Sequence, residues 1–322
     1  MKDFGGKLAV ITGGGSGMGR ELARQLVAEG CDVAMCDVSA ENMAETKHLC
    51  EDEAPQGIVV STFQADVSDE AQVGRFCDYV GEYHDTSRIN LLFNNAGIAG
   101  GGSFVKNERS EWDKVFGVCW NGVYFCTRAF MPMLLEADEG HIVNTSSVNG
   151  FWASLGPQTS HTAYSAAKFA VKGFTEALVN DLRNNAPHIK ASVVMPGHVG
   201  TSIVTNTNVV LGKPNAPDLT AEDLSRARAR LAGRGLPAED MTDEQVREAI
   251  ARIATNFREN APTSAAQAAA IILDGVREER WRILVGDDAH AIDRLVRGAP
   301  EDAYEEGFME QLRADAGWVV GR

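Results

Sequence analysis

From the N-terminus to Met195 the chain alternates short apolar runs with longer amphipathic stretches, and that alternation admits few folds. The runs are Leu8 to Thr12, Asp32 to Asp37, Ile58 to Phe63, Ile89 to Phe93, His141 to Ser146 and Ala191 to Met195. Between them, Met18 to Glu29, Asp69 to Tyr83, Trp112 to Leu135 and Thr162 to Asn184 carry apolar residues at helical spacing. Strand-helix-strand repetition with short connections predicts an α/β fold, a doubly wound parallel sheet with helices on both faces. In such sheets ligands bind outside the carboxyl ends of the strands, near the point where strand order reverses. Every motif of chemical interest here falls just after a strand.

Beyond Pro196 the texture changes. Residues Gly197 to Pro217 read as loop, rich in Thr, Asn, Gly and Pro, and are followed by helical segments at Ala221 to Leu231 and Thr242 to Glu259. A helix over Ser264 to Glu278, a strand over Trp281 to Val285 and a short helix over His290 to Val296 come next. We expect one domain over 1–322, with 202–260 as a helical insertion or lid and 299–322 as an acidic tail. A purely structural helical pair is the plainer reading of the insertion.

Bulk chemistry narrows the function classes. Thirty basic residues against 45 acidic ones give a formal charge of -15. That sign repels phosphate backbones and anionic lipid, which argues against nucleic-acid and membrane-surface roles. The six cysteines, at 31, 36, 50, 77, 119 and 126, form no Cys-x-x-Cys pair and sit mostly in apolar patterns. They read as reduced core residues of a cytoplasmic protein. We expect no signal peptide ahead of the first strand, and no apolar run reaches the ~18 residues of a membrane span. Seven scattered histidines without paired spacing support no metal site.

Between the first strand and first helix lies Thr12-Gly-Gly-Gly-Ser-Gly-Met-Gly19. Its spacing is Thr-Gly-x-x-x-Gly-x-Gly, not G-x-G-x-x-G. Glycines here allow a tight turn and bring backbone N–H groups at a helix N-terminus against a pyrophosphate, so Gly13, Gly15, Ser16, Gly17, Met18 and Gly19 are candidate cofactor contacts. Asp37 ends the second strand, where a carboxylate can bond ribose hydroxyls and repel a 2′-phosphate. Neither Val38 nor Ser39 offers a compensating cation, which favours NAD over NADP; a turn-capping role is the structural alternative for Asp37. Asp66 and Val67 after the third strand, and Asn94-Asn95-Ala96-Gly97 after the fourth, are small or polar where adenine and ribose would pass. The asparagines could equally brace strand ends.

Tyr164 and Lys168 stand at i and i+4, on one helix face. A free phenol, with a pKa of about 10, is a poor base at neutral pH, and a fixed ammonium nearby favours the phenolate. Alone this pattern is common. Taken with Thr12 to Gly19, Asp66, Asn94 to Gly97, Asn121, Ser147 and Pro196-Gly197, it resembles the short-chain dehydrogenase/reductase family over about residues 5 to 200. The resemblance implies a Rossmann-type sheet, a nicotinamide cofactor and a catalytic set of Asn121, Ser147, Tyr164 and Lys168. In it Tyr164 is the acid/base, Lys168 holds the nicotinamide ribose and lowers the phenol pKa, Ser147 polarises the substrate oxygen, and Asn121 holds a relay water. Ser147 is preferred to Ser146 because it ends the strand. The gap from Ser147 to Tyr164 is longer than is typical of the family, which enlarges Phe151 to Ser160. Pro196-Gly197-His-Val199-Gly-Thr201 resembles the run whose Val and Thr meet the nicotinamide carboxamide.

Asn149, Trp152, Gln158, His161 and His198 are candidate substrate contacts, with helix capping the plainer role for His161. The expectation is an NAD-dependent oxidoreductase interconverting a secondary alcohol and a ketone. Phe151, Trp152 and Leu155 suggest a hydrophobic substrate. The alternatives are an NAD sensor without turnover and an enoyl or imine reductase. Apolar faces over Val123 to Leu135 and Phe169 to Leu182 suit a homodimer or homotetramer.

Overall fold

In the computed structural model, which describes residues 1–156, 159–233 and 237–318, the expected strands join one parallel sheet. They are β1 (Leu8–Thr12), β2 (Asp32–Asp37), β3 (Val60–Gln64), β4 (Leu91–Asn94), β5 (Gly140–Thr145) and β6 (Ile189–Pro196). A seventh strand, Arg282–Val285, pairs with β6 at the far edge, Val194 opposite Ile283. Numbering β7 (Val199–Gly200) and β8 (Thr263–Ser264), which form a separate two-stranded ladder, makes that edge strand β9. The order is β3-β2-β1-β4-β5-β6-β9. Strand order thus reverses between β1 and β4, and a crevice opens beyond Thr12 and Asn94.

Both faces of the sheet are covered, which is why strands such as β1 and β5 are buried along their whole length. Helices α1 (Gly17–Ala28) and α2 (Ala40–Glu53) lie with α10 (Ala265–Arg277) on one side, where Leu22, Leu26, Cys50 and Ile272 join one core. The other core takes Phe76 of α3 (Glu70–Tyr83), Phe130 of α5 (Gly122–Leu135) and Leu182 of α6 (Thr162–Asn185). All six cysteines are free, and all but Cys77 are fully buried. No helix among the described residues is long and apolar enough to cross a membrane.

Three segments differ from the sequence reading. The single helix expected over Trp112 to Leu135 is α4 (Arg109–Phe116), a π turn over Gly117–Asn121, and then α5. Such wide turns insert an extra residue into a helix and recur at functional sites. The expected loop after Gly197 contains α7 (Ile203–Val210), ahead of α8 (Ala221–Gly233) and α9 (Asp243–Glu259). Its β-branched, Thr- and Asn-rich sequence has low helix propensity, and tertiary contacts fix it instead. Asn206 Nδ2 donates to Ser16 Oγ at 3.0 Å, and Thr207 Oγ1 accepts from the Ala99 amide at 2.8 Å.

The tail is the third. After α11 (Asp287–Gly298) the chain folds back as α12 (Glu306–Ala316), and Phe308, Met309, Leu312 and Trp318 form an apolar cluster with Trp152. Trp152 Nε1 donates to the Ala303 carbonyl at 2.8 Å. Trp152 is therefore a fully buried core residue, not a substrate contact, and of the apolar trio expected at the site Leu155 lines the large cavity beside Tyr164. Gln158 lies outside the described residues.

Candidate active site

At the switch point the glycine-rich turn is zipped to the end of β4. Thr12 Oγ1 accepts from the amides of Asn95 and Ala96, each at 3.0 Å, and Asn95 Nδ2 donates to the carbonyls of Thr12 and Gly13. The packing leaves no room for side chains: a Cβ on Gly19 would lie 2.0 Å from the Gly13 oxygen. Gly17, with φ near +54, opens α1, and Ser16 at its N-cap makes no side-chain capping bond. The first turn of α1 also lacks acidic residues. Its N–H groups and positive dipole end are left for an anion.

A groove of about 340 Å³ runs from this turn along the strand ends. Gly13, Ser16, Gly17 and Met18 line it beside Asp37, Val38, Asp66 and Val67, and Asn95, Ala96, Gly97 and Thr201 complete the wall. Gly15 and Gly19 shape the turn from behind. Pro196 and Val199 are buried beneath the site and line neither groove nor cavity. Asp37 does serve its turn: its carboxylate accepts from the amides of Gly15 and Ser39, both at 3.0 Å. It lines the groove as well, so its bracing bonds leave it at the groove wall. Burial pushes the Asp66 carboxyl up, but bonds from Lys114 and Ser68 outweigh it and hold the group below its ordinary range.

Beside the groove, and sharing Ile203 with it, lies a mostly apolar cavity of about 630 Å³. Ser147 and Tyr164 both line it. Ser146 does not: its hydroxyl donates to the Lys168 carbonyl at 2.7 Å, a structural bond that leaves Ser147 as the serine on the cavity. Lys168 is buried under the cavity floor, where Nζ donates to the Thr145 carbonyl at 2.7 Å and lies 5.4 Å from the Tyr164 ring centre. Asn121 ends the π turn, which packs against α6.

One electrostatic expectation is corrected. Lys168 does not lower the Tyr164 pKa in this structure: burial raises it well above the ordinary phenol value, and the nearby Ser147 hydroxyl pulls it back only in part. The same burial lowers the Lys168 ammonium. Desolvation is the largest cause for both groups. His161 is corrected too. Its side chain caps nothing; the ring stacks on Tyr164 at 4.5 Å and burial lowers its pKa to about 4, so it is neutral at pH 7.

The remaining cavity wall comes from residues that the sequence did not single out. Ile253, Asn256, Phe257 and Asn260, at the end of α9, face it, as do Val204 of α7 and Trp318 of the tail. Asn149 and His198 were expected and are present. His198 is held in place by Asp288, whose carboxylate accepts from its amide at 2.6 Å. That carboxylate also explains Gly197, because a Cβ there would lie 2.3 Å from Asp288 Oδ1.

Comparison with known proteins accords with this geometry. Residues 7–210 match the family model described as short chain dehydrogenase. The chain belongs to the short-chain dehydrogenase/reductase family. It is 33% identical to SadH of Mycobacterium tuberculosis over 297 residues, 92% of either chain. Levodione reductase of Leifsonia aquatica is 35% identical over 226 residues, covering 68% of this chain and 79% of that one. A Burkholderia phymatum short-chain dehydrogenase/reductase solved with NAD superposes with a TM-score of 0.72 at 32% identity, over 94% of this chain and 96% of that one. A metagenomic family member solved with NADP aligns at a TM-score of 0.53 and 28% identity, over 60% of this chain and 83% of that one.

As a short-chain dehydrogenase/reductase the chain is an oxidoreductase of a family that binds a nicotinamide cofactor. The residues present fit such a group. The uncapped start of α1 offers amides to a pyrophosphate, and the close-packed glycines keep the turn open to it. Asn95 Oδ1 is buried without a partner among the described residues, at the groove wall.

Proposed function

We propose that this protein is an NAD-dependent dehydrogenase/reductase that interconverts a neutral, hydrophobic secondary alcohol and its ketone. The observation that carries the reading is the joining of Ser147 and Tyr164, in one apolar cavity, to the groove under the glycine-rich turn. Bound NAD would supply the two-electron acceptor carbon and the positive charge needed to draw the Tyr164 phenol down toward a working range. Tyr164 takes the proton from the carbinol oxygen in oxidation and returns it in reduction. Ser147 donates a hydrogen bond to that oxygen. Lys168, with one N–H spent on Thr145, keeps two for a ribose hydroxyl and places its charge beside the phenol. Asn121, at the π turn, would hold a water linking Lys168 to solvent. The apolar wall built by α7, α9 and the tail excludes water and selects a hydrophobic body; the 202–260 block acts as its lid.

Support for NAD comes from Asp37 and from the lack of a spare cation near it among the described residues. The neighbouring guanidinium of Arg20 is bound to Glu45, Thr46 and the Gly15 carbonyl. A 2′-phosphate would face Asp37 uncompensated, so catalytic efficiency should favour NAD over NADP by at least ~100-fold, or about 3 kcal/mol. Asp37→Ala combined with Val38→Arg should narrow or invert that ratio. Equal efficiency with both dinucleotides would overturn the assignment. The activity itself is tested by following reduced-nicotinamide absorbance against a panel of secondary alcohols and ketones. Tight dinucleotide binding with no turnover of any member would point to a sensor instead.

We also propose a homo-oligomer built on α5 and α6, which expose Tyr124 (44%) and Phe169 (42%) beside their buried faces. Light scattering at micromolar protein should show at least a dimer. A monomer refutes this.

A further inference from the structure

Residues lining the cavity that holds Ser147 and Tyr164 carry a second set of polar atoms that the proposed chemistry does not use. Nearly every buried polar atom in a folded protein finds a partner, and each exception calls for an explanation, a bound group among them. Thr159 Oγ1, His161 Nδ1, His198 Nδ1 and Trp318 Nε1 are all buried, lack a partner among the described residues, and belong to residues lining this one cavity. They arrive from three separate segments: the loop before α6, the turn after β6, and the tail.

His198 and Trp318 are each held by ring packing. The His198 ring packs on Phe257 at 4.4 Å, and its Nε2 bonds the Phe257 carbonyl at 2.7 Å. A carbonyl only accepts, so Nε2 carries the proton and Nδ1 of the neutral ring is a bare acceptor. Trp318 Nε1 can only donate. Its ring is held edge-on against Trp152 at 6.2 Å. Among the described residues no Lys, Arg, Asp or Glu lines the cavity, so no counter-ion awaits a carboxylate, phosphate or amine. The volume of about 630 Å³ leaves room for a body larger than a simple alcohol.

We propose that the substrate carries a second, uncharged hydroxyl away from the reacting carbinol, and that His198 and Trp318 read it. A hydroxyl both donates and accepts, so it can meet a bare acceptor and a bare donor, which a purely apolar substrate leaves unpaired. The inference rests on the alcohol/ketone reading above and sharpens its substrate class to diols and their hydroxyketones. The rival occupant is the carboxamide of the dinucleotide itself.

The test compares kcat/KM at saturating NAD for cyclohexanol with the cyclohexane-1,3- and 1,4-diols, and for 1-tetralol with ring-hydroxylated 1-tetralols. At least one diol series should exceed its parent alcohol by about tenfold or more. In Trp318→Phe and in His198→Leu that ratio should fall toward one. Melting temperatures of the NAD complex give an independent readout: the preferred diol should raise the wild-type value more than its parent does, and the difference should vanish in Trp318→Phe. Parent alcohols used as well as the diols would overturn the proposal. So would an unchanged ratio in both variants with a raised KM for NAD, which assigns the atoms to the dinucleotide. If no alcohol turns over but diols alone still shift the melting temperature, the subsite stands and the dehydrogenase reading fails.

Discussion

Replacing Tyr164 by phenylalanine is expected to cut secondary-alcohol turnover by about 10²-fold or more while leaving dinucleotide binding nearly intact. The substitution removes only the hydroxyl, and the aromatic ring that packs on His161 at 4.5 Å is retained. Oxidation needs the phenolate, so its rate should rise with pH through the pKa of Tyr164 in the cofactor complex. Reduction needs the phenol and should fall through the same range. In the protein alone burial raises that pKa, so the neutral phenol is the favoured folded form. The stability this confers is present below the ordinary phenol value of about 10 and is lost as pH rises through it toward the folded value. Adding NAD should therefore shift the Tyr164 titration downward, readable by phenolate absorbance. Lys168→Ala should damage both binding and turnover, because one buried ammonium serves the ribose and the phenol. The Tyr164 and Lys168 losses should be strongly non-additive in the double variant.

Gly19→Ala is expected to disable the other half of the site. Its Cβ would lie 2.0 Å from the Gly13 oxygen and 2.7 Å from Asn95 Nδ2, and the first of these is backbone that cannot swing aside. Overpacking of this kind costs about 1–3 kcal/mol or more, a fall of several degrees in melting temperature for a chain this long. Because the displaced atoms are the glycine-rich turn itself, NAD affinity should drop by roughly 10²-fold or beyond detection. Gly74→Ala supplies the control. Nothing lies within 4 Å of its Cβ, in the middle of α3. There the alanine should raise stability by about 0.5–1 kcal/mol, through helix propensity alone. Calorimetry and dinucleotide titration of the two variants side by side check both expectations.

These contrasts show which parts of the molecule were legible in the sequence. The strands could be read because burial on both faces demands continuous apolar runs, as in Leu8 to Thr12. The turn from Gly13 to Gly19 could be read because few residue types survive such close packing. Helix α7 could not: Thr205, Asn206, Thr207 and Asn208 form a helix through bonds to Ser16 and Ala99, residues far away in the chain. Trp152 was misread for a related reason. It stands close to Ser147 in sequence, yet it packs into the apolar cluster of the tail. The charges of that tail masked Phe308, Met309, Leu312 and Trp318, whose burial docks it against Trp152. The phenol pKa was misjudged because a sequence shows that an ammonium is near but not that both groups are stripped of water.

The central claim is that this chain oxidises a carbinol carbon with Tyr164 as the base. It is tested most directly with a secondary alcohol deuterated at that carbon and supplied with NAD. The account requires the label to appear in the reduced dinucleotide with the wild-type protein, and to do so at least ~10²-fold more slowly with Tyr164→Phe. It is contradicted if NAD binds and no label is transferred from any alcohol in the panel, or if Tyr164→Phe transfers it at the wild-type rate.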